Sequence, residues 1–183
     1  TTEASPANVS TVTAPKLNVT AGDGVTITGS SDYLPLIADD SNNECAVTLN
    51  AGGNVEIGNK SGSAVYGPLT VTKAVDVAIS GSGKNALLAS ASGTHSITAS
   101  ETVQMEESGG IVYFGAANGL AITDAKKVEI AGETSAPVVT GMTLSGCGTA
   151  SVTRLGNPDS EAPIANTVTS DIPVLLYKSP IDN

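Results

Sequence analysis

One spacing recurs along this chain and restricts what it can fold into. An apolar-x-apolar pair is followed by a polar corner, and a second such pair begins six residues after the first one ends. It reads Leu17-x-Val19 then Val25-x-Ile27, Val47-x-Leu49 then Val55-x-Ile57, and Leu69-x-Val71 then Val77-x-Ile79. His95-x-Ile97 precedes Val103-x-Met105, Leu120-x-Ile122 precedes Val128-x-Ile130, and Met142-x-Leu144 precedes Ala150-x-Val152. A last copy runs from Val168 to Val174-x-Leu176. Counted with Val19, Leu49, Val71, Ile97, Ile122, Leu144 and Val168 as markers, the offset is six in every copy.

A third apolar patch follows each middle copy: Ala64-Val65-Tyr66, Ala86-Leu87-Leu88, Ile111-Val112-Tyr113 and Pro137-Val138-Val139. Each repeat thus offers three short segments with the period-2 alternation of strands, separated by corners rich in Gly, Asn, Asp and Ser. No segment carries a helical apolar stripe with caps. One such repeat cannot bury its inward residues, but stacked repeats bury a continuous column, each enclosed Val, Ile or Leu contributing roughly 1.5–3 kcal/mol. The expected fold is all-β: a single-domain, right-handed parallel β-helix (solenoid) of about seven coils with three short strands per coil. The irregular coil lengths disfavour a strict hexapeptide helix, and parallel crossovers favour the right hand. An antiparallel β-sandwich also uses short alternating strands but gives no reason for the constant offset. Residues 1–14 read as an N-terminal linker or cap and 15–183 as the helix domain.

The formal charge of −10 and the absence of a Lys/Arg stripe argue against nucleic acid as a partner. No apolar run reaches the length of a membrane span, so membrane insertion is not expected. The opening TTEASPANVSTVTAP has the Pro/Ser/Thr/Ala character of a linker following a removed export signal, which predicts an extracellular or cell-surface location. Cys45 and Cys147 fall four coils apart, about 19 Å at about 4.8 Å per coil, far beyond disulfide reach, so two free thiols are expected.

The stretches GNVEIGNKSGSAVYG (53–67) and NGLAITDAKKVEIAGETSAPVVTG (118–141) resemble the repetitive β-helical segments of bacterial cell-surface proteins, including the carbohydrate-binding β-helices of anaerobic Gram-positive bacteria. The resemblance is one of repeat style from about residue 15 to 177 and carries no diagnostic motif, so no functional residue is transferred from it. It implies an exported, surface-associated protein with polysaccharide as the expected ligand.

The candidate sites are surfaces. On the first strand the outward positions are mostly small and polar and are expected to form two parallel ladders on a flat sheet, with Thr48, Thr70, Thr98 and Thr123 as the candidate contacts. Regular Thr arrays of this kind suit ice, but Thr is also a natural choice on any exposed strand, and Asn and Ala interrupt this one. On the third strand Tyr66, Leu88 and Tyr113 are expected side by side, an edge on which sugar rings would stack; a one-residue slip would bury them. The hard-oxygen-rich insertion with Asp39, Asp40, Asn42 and Glu44 suits Ca²⁺ in ligand type, without the glycine and distal Glu of an EF-hand loop. No other cofactor is expected.

Catalysis is not. Arg154 is the one arginine, and the second-strand acids Glu56 and Glu129 fall three coils apart. His95 is the one histidine and sits on the inward parity, without a nucleophile or acid partner in the pattern. The reading is a non-enzymatic binding module for an extended polysaccharide or similar surface ligand. A purely structural spacer or adhesin stalk is the alternative, and an ice-binding Thr-ladder protein a minor one. Oligomeric state is left open.

Overall fold

The computed structural model describes residues 12–14, 16–29, 36–38, 46–59, 65–66, 68–81, 86–89, 94–107, 111–114, 119–132, 142–154 and 168–178. Among them every regular element is a strand, and every strand pairing is parallel. The apolar pairs of the sequence repeat become two seven-stranded sheets. Sheet B holds, from one edge to the other, β2 (Lys16–Ala21), β5 (Ala46–Ala51), β8 (Leu69–Lys73), β11 (His95–Thr98), β14 (Leu120–Thr123), β16 (Met142–Ser145) and β18 (Val168–Ser170). Sheet C holds β3 (Val25–Gly29), β6 (Val55–Asn59), β9 (Val77–Gly81), β12 (Thr102–Glu107), β15 (Lys127–Gly132), β17 (Thr149–Arg154) and β19 (Val174–Lys178). A five-stranded sheet A stacks β1 (Val12–Ala14), β4 (Leu36–Ala38), β7 (Val65–Tyr66), β10 (Ala86–Ala89) and β13 (Ile111–Phe114). The chain visits the sheets in rotation, so each strand pairs with its equivalent one repeat later. That connectivity is solenoid-like.

Why the sequence adopts it follows from parity. Inward residues at every second position form files that run across the strands, and in the middle of the stack they are closed off from solvent. Leu49, Leu69, Val71, Ile97 and Ile122 are fully buried in sheet B, as are Val55, Val103 and Met105 in sheet C. The pairings hold these files in register: Val55 with Val77, Val77 with Val103, and Val103 with Val128.

The six-residue corner between sheets B and C holds a further buried file that the apolar-x-apolar pattern does not reveal. Ala51, Ala74, Ala99, Ala125 and Cys147 point inward there, each at most 5 % exposed. The inward residue comes two positions after the marker in Ala51 and Ala99, and three after it in Ala74, Ala125 and Cys147. In the corners of Ala125 and Cys147 the extra residue takes left-handed backbone, Asp124 at φ 64° and Gly146 at φ 65°. Asp is one of the few L-residues that tolerate that region, because its short side chain bonds locally, and glycine occupies it freely. Backbone groups freed at the corners find partners in the neighbouring repeat: Asp76 N–H donates to Asn54 Oδ1 (3.3 Å), Thr102 N–H to Asp76 Oδ1 (3.0 Å) and Gly146 N–H to Asp171 Oδ2 (2.9 Å). At Gly52 the corners approach so closely that a Cβ would lie 2.1 Å from the Gly22 carbonyl oxygen.

Two details depart from the sequence reading. Val168 pairs with Met142, and Ser170 takes the place opposite Leu144, so the last corner is two residues shorter than the marker count implies. Half-buried Ile172 packs against the core from within this corner, and Pro173, which lacks an N–H, follows it directly. The pairing of β5 with β8 also slips by one residue after Leu49, setting Asn50 opposite Lys73; Thr72 Oγ1 donates to the Leu49 carbonyl (3.3 Å) beside the slip.

Candidate binding surface

The outward residues of sheet B form two parallel files. The first runs Asn18, Thr48, Thr70, Ser96, Ala121, Thr143 and Thr169 in pairwise register. The second includes Thr20 opposite Asn50, and Thr98, Thr123 and Ser145 further along. Thr48 and Thr70 therefore stand in one file and Thr98 and Thr123 in the other. The four do not make a single ladder: Ser96 faces Thr70, and the slip at Asn50 interrupts the second file before it reaches Thr98. All four are half-buried, because close-set neighbours on a flat parallel sheet shade one another.

Tyr66, Leu88 and Tyr113 lie in strands of sheet A, β7, β10 and β13. The backbone register sets Leu88 opposite Val65, and Ala89 opposite Tyr66, one residue off the expected alignment. The pairing of β10 with β13 then shifts between Ala86 and Leu88, so that Leu88 faces Phe114. Tyr66 and Leu88 are therefore not opposite one another. The irregularity follows from segments only two to four residues long, which leave few ladder bonds to fix a register. Asp39, Asp40, Asn42, Glu44, Cys45 and the patch Pro137–Val139 lie outside the described residues. Among the described residues no group of three or more His, Cys, Asp or Glu side chains is placed to hold a metal ion.

Sheet C carries more varied chemistry. Its first outward file runs Thr26, Glu56, Ala78, Gln104, Glu129 and Ser151, in the order expected from the repeat. Glu56 and Glu129 are separated by three strand steps, about 14 Å at about 4.8 Å per step, wider than the roughly 5–9.5 Å between glycosidase carboxylates. Glu129 is also engaged by Lys127 Nζ at 2.8 Å. The second file runs Thr28, Gly58, Ser80, Glu106 and Ala131. Between the two files, across β3, β6 and β9, lies a hollow of about 240 Å³ lined by Thr26, Ile27, Thr28, Glu56, Ile57, Gly58, Ala78 and Ser80. The repeat counts only apolar inward positions, so it does not disclose this feature. The signal for it is three small residues, Gly58, Ala78 and Ser80, at adjacent outward positions.

The two chemically reactive side chains inside the stack are both enclosed. His95 is fully buried in the inward file between Leu69 and Leu120. Its Nδ1 accepts a hydrogen bond from the Leu69 N–H (3.2 Å), which places the ring proton on Nε2, where no acceptor among the described residues is in reach. Burial pushes the imidazole pKa from 6.5 down to about 4, so the ring is neutral at ordinary pH. Cys147 is a free thiol filling a corner site that alanine fills elsewhere. Its Sγ donates to the Ile122 carbonyl at 3.6 Å, and burial raises its pKa above the ordinary thiol value. Neither offers a nucleophile or a base to a ligand on the surface.

Comparison of the chain with family models, curated proteins and solved structures finds no match.

Proposed function

We propose that the chain is a right-handed parallel β-helix of about seven coils, exported to the cell surface or beyond it, that binds an extended polysaccharide along its stacked faces without catalysing a reaction on it. The observation that carries this reading is the pairwise register of the outward files on sheets B and C. Hydroxyl, carboxamide and carboxylate groups recur from strand to strand at about 4.8 Å, the spacing of neighbouring strands. A surface that repeats along one axis suits a ligand that does the same. Sugar rings present alternating hydroxyls and C–H faces that small polar residues contact without a deep cleft. The formal charge of −10 favours neutral or cationic chains over anionic ones. Ice binding is a poorer fit, because Asn18 and Ala121 break the hydroxyl file and a slip breaks its neighbour.

A glycan array read with and without Ca²⁺ tests the proposal. Binding to a defined polysaccharide supports it, and dependence on Ca²⁺ would direct attention to Asp39, Asp40, Asn42 and Glu44. Blank arrays under both conditions would leave the spacer or stalk reading in its place. Release of unsaturated uronides or reducing sugar, lost in a Glu56→Gln, Glu129→Gln double variant, would overturn the non-enzymatic part.

A further inference from the structure

The hollow on sheet C is built by side-chain length. Gly58, Ala78 and Ser80 form a low floor on β6 and β9, while Glu56 on β6 and Gln104 and Glu106 on β12 carry the long side chains around it. The glycine matters, since a Cβ at Gly58 would lie 3.2 Å from Ser80 Oγ and occupy the floor. At about 240 Å³ the space is below the roughly 300–1,000 Å³ that encloses a drug-sized molecule. One ring of a longer chain suits it, with the remaining rings lying outside on the flat sheet.

Its polar lining selects the kind of ring. Thr26, Thr28 and Ser80 are exposed hydroxyls, and Glu56 is an exposed carboxylate with no ion-pair or hydrogen-bond partner among the described residues. Among the described residues no lysine or arginine lines the hollow. The described lysines that make ion pairs, Lys126 and Lys127, are held by Glu101 and Glu129 away from it. Glu106 adds a second exposed carboxylate on the next strand, opposite Ser80 in the register. Described side chains so rich in acceptors favour a ligand that brings donors and positive charge over a uronate. A charged donor on a carboxylate makes the stronger, shorter class of hydrogen bond.

Resting on the polysaccharide reading above, we infer that this hollow is the subsite for one pyranose ring bearing a protonated amine, within a linear glucosamine-type glycan that follows sheet C. The ammonium donates to Glu56, ring hydroxyls exchange hydrogen bonds with Thr28 and Ser80, and the ring's C–H face rests on Ala78.

The test is calorimetric titration of the whole chain with fully deacetylated glucosamine oligomers, their N-acetylated counterparts and cello-oligosaccharides of equal length, at a pH where the amine is protonated. The deacetylated oligomer is expected to bind tightest. Glu56→Gln, which keeps size and removes charge at an exposed position, is expected to weaken it about tenfold or more. Ala78→Leu, with its folding checked by its melting curve, is expected to do the same by filling the hollow. Gly22→Ala, at a corner outside the outward files where an added Cβ meets nothing, should leave it unchanged. Equal affinity in wild type and Glu56→Gln, or equal weakening by Glu129→Gln, would overturn the inference, the latter by showing diffuse charge attraction instead of a site. Binding of neutral oligomers that Thr70→Lys abolishes and Glu56→Gln does not would retain the polysaccharide reading and reject this subsite. Absence of binding by every oligomer here and every polysaccharide on the array would remove both.

Discussion

The first repeat and the middle repeats use the same residue types and are not equally buried. Leu17, Val19 and Ile27 on β2 and β3 are half-buried, whereas their equivalents Leu69, Val71 and Ile79 are 0, 0 and 1 % exposed. The difference lies in the neighbours. β2 and β3 end their sheets and are paired on one side only, while β8 and β9 are paired on both. The far end repeats the pattern, with Val168, Ile172 and Val174 half-buried. Burial in this fold is therefore a property of position in the stack, and stability should be concentrated in its middle.

The largest expected effect tests that contrast directly. Val77→Asp puts a carboxylate into an apolar file between Val55 and Val103, with no partner for its charge. The cost is expected to be several kcal/mol, enough to unfold the domain. Ile27→Asp, on the end strand, should cost less than half as much because the side chain can turn toward solvent. Urea midpoints of the two variants measure the gap, and a Val77→Asp protein melting within a few degrees of wild type would mean that the inward register is misassigned.

Next in size is a pH effect. The His95 pKa of about 4 in the folded chain lies below its unfolded value near 6.5, so the neutral ring is the form the fold favours. Stability from this group is complete above pH 6.5, declines as pH falls, and is lost below about pH 4. The total is about 3 kcal/mol. A protonated ring would also turn Nδ1 from acceptor to donor against the Leu69 N–H. Between pH 7 and 4 wild type should lose stability relative to His95→Leu by an amount approaching that total, and parallel curves would contradict the assignment.

Smaller again is the corner. Gly146→Ala places a Cβ on backbone at φ 65° and 2.7 Å from Asp124 Oδ1, and is expected to cost about 1–3 kcal/mol. The ion pair between Lys126 and Glu101 joins adjacent corners in solvent, at 70 and 44 % side-chain exposure. Lys126→Ala should shift the midpoint by no more than about 1 kcal/mol and by less in high salt. An effect larger than that of Gly146→Ala would reverse the order given to backbone geometry and surface charge.

Much of this architecture was legible in the sequence because period-2 alternation and the six-residue offset both arise from the same physical cause, a fixed inward parity on two sheets joined by one corner. From Leu17 to Val152 the apolar pairs fall on paired strands. What escaped has equally specific causes. β1 and β4 are three residues long, too short to show alternation. The corner alanines are small and flanked by polar residues, so they read as loop. Val168-x-Ser170 has one apolar member, which left its register open by two positions. The functional surface was harder still. Parity told which residues face outward and in which file, but the one-residue slip at Asn50 leaves no mark on an alternating pattern, and the hollow at Gly58 depends on side chains being short, which an apolar template does not record.

Cross-linking tests the central claim, in-register stacking of outward files, most directly. In a background with Cys45 and Cys147 replaced by alanine, Gln104→Cys is combined with Glu129→Cys, its partner across β12 and β15. Parallel neighbours in register stand within the roughly 4.4–6.8 Å between Cα atoms that a disulfide requires. Gln104→Cys combined with Ala131→Cys places the second thiol two residues out of register and beyond that reach. Mild oxidation followed by intact-mass measurement should close the bond in the first variant and leave the second reduced. A bond in the second, with the first left as free thiols, would contradict the register on which the surface and its hollow are built.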